Sequence, residues 1–175
     1  STWKAVSAGA NHTCGIRSDG SLWCWGFNGA GQLGDGTTTT RLEPTAVAGG
    51  STWKAVSAGS SHSCGIRGDA SLWCWGSNAT GQLGDGTTSN RIVPTRIGAA
   101  TWKAVAAGEG YTVAIRSNGT LWAWGSNAFG QLGDGTTTDR TVPTQIGSLT
   151  TWASVTVGDT HTVATRTDGT LWAWG

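Results

Sequence analysis

Methionine is absent from this chain of 175 residues, proline occurs three times, phenylalanine twice and tyrosine once. Only 12% of the residues are charged, 11 Lys and Arg against 10 Asp and Glu, for a formal net charge of +1. Acids and bases alternate with no basic run, so no stripe for a phosphate backbone is in view and nucleic acid is not an expected partner. No apolar run approaches the roughly 18 residues that cross a bilayer, so no membrane span is expected, and no leader peptide is visible. An intact translation product opens on Met, whereas this chain opens on Ser1 and closes on Trp174 and Gly175, midway through a repeat. The expectation is a processed fragment, or a window, of a longer array.

What the chain has in quantity is glycine (29) and tryptophan (12), both at fixed phase. The stretch LWCWGFNGAGQLGDG, from Leu22 to Gly36, returns as LWCWGSNATGQLGDG from Leu72 and LWAWGSNAFGQLGDG from Leu121, and a fourth copy begins at Leu171. Trp25, Trp75, Trp124 and Trp174 are separated by 50, 49 and 50 residues, as are Trp3, Trp53, Trp102 and Trp152. A period of about fifty belongs to propellers and arrays, whose units bury their faces against their neighbours. The spacing predicts repeats at 1–50, 51–99 and 100–149 and a partial one at 150–175, all in one propeller domain or a segment of it.

Each repeat opens on Thr-Trp and a short alternating run, such as KAVSAG at Lys4 to Gly9, that reads as a strand ended by glycine. A hairpin follows: Thr13 to Arg17, a turn of Ser18, Asp19 and Gly20, then Ser21 to Trp25, and Asp-Gly or Asn-Gly between apolar runs is a strong hairpin signal. Ala70 replaces the glycine once, where positive φ is more costly. A three-residue loop pairs Cys14 with Cys24 and Ile16 with Leu22, whereas a two-residue loop pairs Cys14 with Trp25. In the third and fourth repeats both cysteines change together, to Val113 with Ala123 and Val163 with Ala173, which favours the first register.

After the hairpin comes a long Gly-rich loop, then Arg41, Arg91 or Arg140, and then a fourth short strand at Pro44, Pro94 and Pro143, since proline belongs at a strand start or edge. Four short strands per period make one propeller blade, and the fold class expected is an all-β propeller. The pattern AxGxxHT, a hairpin ending in WG, NxxGQLGDG and then PT resembles the repeat of the regulator of chromosome condensation family over residues 1–175. The resemblance implies a seven-bladed ring of roughly 350 residues. Two chains like this one would supply eight copies of the first three strands but six of the fourth, so a longer parent chain is the simpler expectation than a dimer of half-rings.

The tryptophans, each able to remove about 150–250 Å² from water, are expected to pack between blades. A light-sensing member of the family carries its tryptophan in a GWRHT motif; here the segments read GANHT, GSSHS, GEGYT and GDTHT, so photoreception is not expected. His12, His62 and His161 recur with Tyr111 in the remaining slot, and a metal ligand is not exchanged for Tyr in one copy of a symmetric site without cost, so a histidine hydrogen-bonded within the blade is expected. Asp35, Asp85 and Asp134 lie six residues before Arg41, Arg91 and Arg140 and read as turn-stabilising groups paired with them, since a calcium loop needs several alternating oxygen ligands. GQLGDGT lacks the lysine and the strand-to-helix setting of a phosphate loop. Neither a metal nor a cofactor is expected.

Opposed cysteines on adjacent strands lie within disulfide reach, and the ten-residue separation lacks the close spacing of zinc ligands. Disulfides Cys14–Cys24 and Cys64–Cys74 are therefore expected, and with them an oxidising, extracellular or cell-surface location. Function is sought where the repeats differ: Phe27, Phe129, Glu109, Asp159, Glu43 and Arg96 are the candidates for contact with a partner. The expected role is a nonenzymatic extracellular scaffold binding a protein through its loops, as the resemblance implies for many members, including a secreted inhibitor of β-lactamases. The alternative is self-association into a structural surface array or filament, with threonine-rich loops open to glycosylation. Nucleotide exchange on a small GTPase, the founding member's activity, ranks below both because the repeats keep nearly constant length.

Overall fold

The structure, a computed structural model, describes residues 2–50 and 52–175. Strands β1 (Trp3–Ala8), β2 (His12–Arg17), β3 (Leu22–Gly26) and β4 (Arg41–Ala46) form an antiparallel sheet in the order β1-β2-β3-β4. The second and third repeats build β5 (Trp53–Ala58), β6 (His62–Arg67), β7 (Ser71–Gly76), β8 (Arg91–Ala107), β9 (Tyr111–Arg116), β10 (Leu121–Gly125) and β11 (Arg140–Ile146). The fourth contributes β12 (Trp152–Val157), β13 (Thr162–Arg166) and β14 (Leu171–Trp174). Each repeat is thus one meander of up to four strands, and the chain is an incomplete β-propeller. Among the described residues no helix is long and apolar enough to cross a membrane.

Two details differ from the sequence reading. The boundary expected between 99 and 100 falls inside β8, a 17-residue strand that is the last of the second blade and the first of the third. The link there is one residue shorter than in the neighbouring repeats, so the backbone stays extended through the corner. The outer strands also begin at the arginine rather than at the proline. Pro44 is tolerated within β4 because β4 is an edge and its pairing with β3 is broken by a bulge between Cys24 and Gly26.

The hairpin register is the three-residue one, Cys14 facing Cys24 and Ile16 facing Leu22, with Trp23 and Trp25 opposite Gly15 and Thr13. Ala70 adopts φ 65°, which places it in the left-handed region that its glycine counterparts occupy. Both disulfides are present, Cys14–Cys24 and Cys64–Cys74, each with Cα atoms 4.1 Å apart. Closing a loop of about ten residues stabilises by roughly 2–3 kcal/mol per bridge. Reduction is expected to lower the guanidinium unfolding midpoint clearly, and an unchanged midpoint would show that the bridges constrain nothing.

Packing between blades is directional. One face of each blade is aliphatic and holds the cystine where there is one; it meets the tryptophan face of the next blade. Cys14, Ile16, Leu22, Cys24 and Leu33 of the first blade bury Trp53 and Trp75 of the second. Cys64, Ile66, Leu72, Cys74 and Leu83 bury Trp102 and Trp124 in the same way. Val113, Ile115, Leu121, Ala123 and Leu132 then cover Trp152 and Trp174. The meander also sorts the connections. The long Gly-rich loops and the short loops after each first strand lie at one end of the blades, where Phe27 N–H donates to Asn11 O. The three-residue turns and the inter-blade links lie at the other, where Trp53 N–H donates to Gly20 O. We call these ends the loop face and the turn face.

Candidate functional site

The loop face is built on a repeated asparagine. Asn28, fully buried, accepts a hydrogen bond at Oδ1 from Leu33 N–H (2.9 Å) and donates from Nδ2 to the carbonyls of Thr37 (3.0 Å) and Thr39 (3.1 Å). Asn78 and Asn127 repeat these bonds in the next two loops. Asp35 accepts from Thr37 and from Arg41 Nε (2.7 Å), with Asp85–Arg91 and Asp134–Arg140 the equivalent ion pairs. Burial pushes the Asp134 carboxyl up, but hydrogen bonds from Thr136, Arg140 and Asn127 outweigh it and hold it at about 2. The pairing of Asp with Arg was legible from their constant six-residue spacing. The asparagine was quoted only as a letter of the motif, and its role needed the loop to be folded back on itself.

The long loop of the third blade and two short loops beside it present three of the sequence candidates together. A cleft of about 310 Å³ across the loops of the second, third and fourth blades is lined by Phe129, Glu109 and Asp159, with Thr80, Gln82 and Gln131 among its walls. Phe129 is 67% exposed, although the loop that carries it is anchored by buried Asn127 and Gln131. Glu109 and Asp159 are exposed in the equivalent short loops of adjacent blades. The cleft therefore combines one held aromatic ring with two carboxylates.

The other candidates lie elsewhere. Phe27 is 51% exposed on the first blade's loop and rests against Gly29, where a Cβ would stand 2.6 Å from its ring. Its replacement of Ser77 and Ser126 has a consequence below it. Gln82 and Gln131 donate to those serines, whereas the buried Gln32 Nε2 has no partner. Glu43 is exposed on the outer strand β4, and Arg96 is exposed near the turn face, close enough to Asp69 to favour its ionised form.

His12 and His62 bond between blades rather than within one, whereas His161 is exposed and makes no side-chain hydrogen bond among the described residues. Ser63 gives its proton to Gln32 O (2.8 Å), so His12 Nε2–H must donate to Ser63 Oγ (2.8 Å), which leaves His12 Nδ1 buried and unpartnered. His62, Thr112 and Gln82 O repeat the arrangement. Burial lowers His12 to about 4 and His62 to about 3, the latter also disfavoured by His12. In the third blade Tyr111 takes this slot and donates to His161 O (2.5 Å) of the next blade. Among the described residues there is no group of three His, Cys, Asp or Glu able to hold a metal ion.

On the turn face, a feature absent from the sequence reading recurs in every blade. The arginine ending each second strand, Arg17, Arg67, Arg116 and Arg166, stacks 3.4–4.3 Å above the ring of Trp23, Trp73, Trp122 or Trp172. A second tryptophan, Trp3, Trp53, Trp102 or Trp152, lies 4.9–5.3 Å away. The constant offset between Trp23 and Arg17 was the available signal. Only the strand pairing shows that they share a face.

A blade of four antiparallel strands, stacked through tryptophan on its neighbour and carrying ordered loops at one end, defines a β-propeller repeat protein. The sequence profile of the Regulator of chromosome condensation (RCC1) repeat matches residues 19–66, 69–115 and 118–165, and the chain belongs to that family. The Ultraviolet-B receptor UVR8 of Arabidopsis thaliana is 48% identical over 44 residues, which are 25% of this chain and 10% of that protein. The human E3 ubiquitin-protein ligase HERC2 is 43% identical over 44 residues, 25% of this chain and 1% of that protein. Among solved structures, yeast RCC1 (Prp20) bound to Kap60 superimposes with a TM-score of 0.88 at 22% identity, over 99% of this chain and 43% of that one. The chain thus spans less than half of that structure and a small part of the two curated relatives.

Proposed function

We propose that the protein is a nonenzymatic, extracellular interaction scaffold and that the loop-face cleft receives a protein partner. The observation that carries this reading is the gathering of Phe129, Glu109 and Asp159 from three separate loops into one cleft. An exposed aromatic on a rigid loop loses little conformational freedom on binding, which is what a hot-spot residue requires. Two flanking carboxylates select a partner that presents a cationic group to the ring. The two cystines, compatible with an oxidising compartment, support the extracellular placement. Phe27, Glu43 and Arg96 lie outside this cleft, so as contact residues they would need a partner that spans more than one blade. A seven-bladed ring, as the family resemblance implies, is the assembly in which we place this segment.

A photo-crosslinking residue at position 129, with one at the exposed position Leu42 as control, tests the assignment. A protein captured at 129 and lost in the E109K/D159K variant is the expected result. Identical capture from 129 and 42 would overturn it.

A further inference from the structure

The even alternation of charge along the sequence does not survive folding. The inner-strand lysines Lys4, Lys54 and Lys103 sit beside the first tryptophan of each repeat, at the same end as the four stacked arginines, because Trp3, Trp53 and Trp102 pair with Arg17, Arg67 and Arg116. With Arg96, the turn face holds eight of the 11 cations and three of the 10 carboxylates, the turn residues Asp19, Asp69 and Asp168. The loop half holds the remaining three cations, all ion-paired, and seven carboxylates. A nearly neutral chain is therefore divided into one face with an excess of five positive charges and another with an excess of four negative ones.

The arginines of the turn face are also held in place. Each guanidinium lies between two indoles with its Nε buried and without a hydrogen-bond partner, while the half-exposed side chain leaves its outer end toward solvent. None of the four forms an ion pair among the described residues, where the three pairs all belong to the loop half. A clamped, unpaired guanidinium fork is prepared for a two-oxygen anion, because its side-chain entropy is already spent. The turns between these forks, Ser-Asp-Gly, Gly-Asp-Ala, Ser-Asn-Gly and Thr-Asp-Gly, carry no apolar anchor, which disfavours a protein interface and insertion into a membrane. The cystines disfavour nucleic acid by compartment. One fork per blade, at a regular interval, suits a partner whose charges are themselves periodic.

We propose that the turn face binds an acidic polysaccharide, its sulfate or carboxylate groups taken by Arg17, Arg67, Arg116 and Arg166 and its remaining charge met by the lysines. This surface is separate from the loop-face cleft and does not depend on it.

The test is titration of the full chain with a heparin-derived dodecasaccharide at several salt concentrations. Binding is expected at low salt, with an affinity that falls linearly in log–log form. The slope should decrease by about two in K4Q/K54Q, whose side chains are exposed. R67K/R116K keeps the charge but loses the fork and is expected to bind about tenfold more weakly. R91K, in a loop-half ion pair, should bind like the parent chain. The proposal is overturned by absence of binding, by parent-like affinity in R67K/R116K with native near-ultraviolet circular dichroism, or by parent-like affinity and slope in K4Q/K54Q. It is equally overturned if polyglutamate, single-stranded DNA or anionic vesicles bind as tightly as the dodecasaccharide.

Discussion

Between pH 6.5 and pH 4.5 the protein is expected to lose several kcal/mol of stability, and the loss should vanish when His12 and His62 are both replaced by Asn. Both histidines are neutral in the fold, with Nε2–H committed to Ser63 or Thr112 and a buried Nδ1 that has no acceptor for a proton. Their folded values, about 4 and about 3, lie below the ordinary 6.5. The unfolded chain therefore binds more protons through this window, and the contribution present above pH 6.5 declines as the pH falls toward the folded values. At about 1.4 kcal/mol per unit, the two sites together oppose folding by roughly 4–5 kcal/mol at pH 4.5. The loop carboxylates Asp35, Asp85 and Asp134 are held low, so their loss lies at still lower pH and leaves the histidine window distinct. Guanidinium unfolding at pH 7 and pH 4.5 measures the effect. An equal pH slope in the H12N/H62N variant would contradict it.

Replacing Trp124 by Ala is expected to destabilise the fold by about 3–5 kcal/mol, the range for a large buried aromatic. Trp124 is fully buried, donates from Nε1 to Gln82 O (2.9 Å), and lies under Gly84, where a Cβ would stand 2.6 Å from Nε1. Gly84 has φ +79°, so the backbone approaches the indole in a conformation that an L side chain would strain. Collapse of the site is blocked by the ordered loop above it, and the cavity remains. Trp122, two residues earlier in the same strand, is only half-buried and donates from Nε1 to Thr120 Oγ1 (2.8 Å) within its own blade. W122A should cost distinctly less than W124A in the same denaturation experiment. Equal losses would show that the tryptophans act within blades rather than between them.

The hairpin register was legible because two residues changed together: when Cys14 and Cys24 become Val113 and Ala123, only direct opposition explains both. The Asp–Arg pairs were legible from their constant spacing. The sharing of histidines between blades was not, because Ser63 lies 51 residues from His12 and the repeat offers a hydroxyl in every unit. The outer strand's start at Arg41 was hidden by Pro44, which reads as a boundary until the strand is known to be an edge.

Of the candidate contact residues, the sequence could say only that they differ between repeats. It could not say that Phe129, Glu109 and Asp159 share a cleft, since they come from separate loops of two blades. The sequence by itself determined the period, the four-stranded unit, the hairpin pairing with its cystines and the family, because these depend on neighbours close along the chain or on repetition. Tertiary structure alone decided what lies on which face. An up-and-down meander sends alternate connections to opposite ends, and that separates a charge pattern that is even in sequence into a cationic turn face and an anionic loop face.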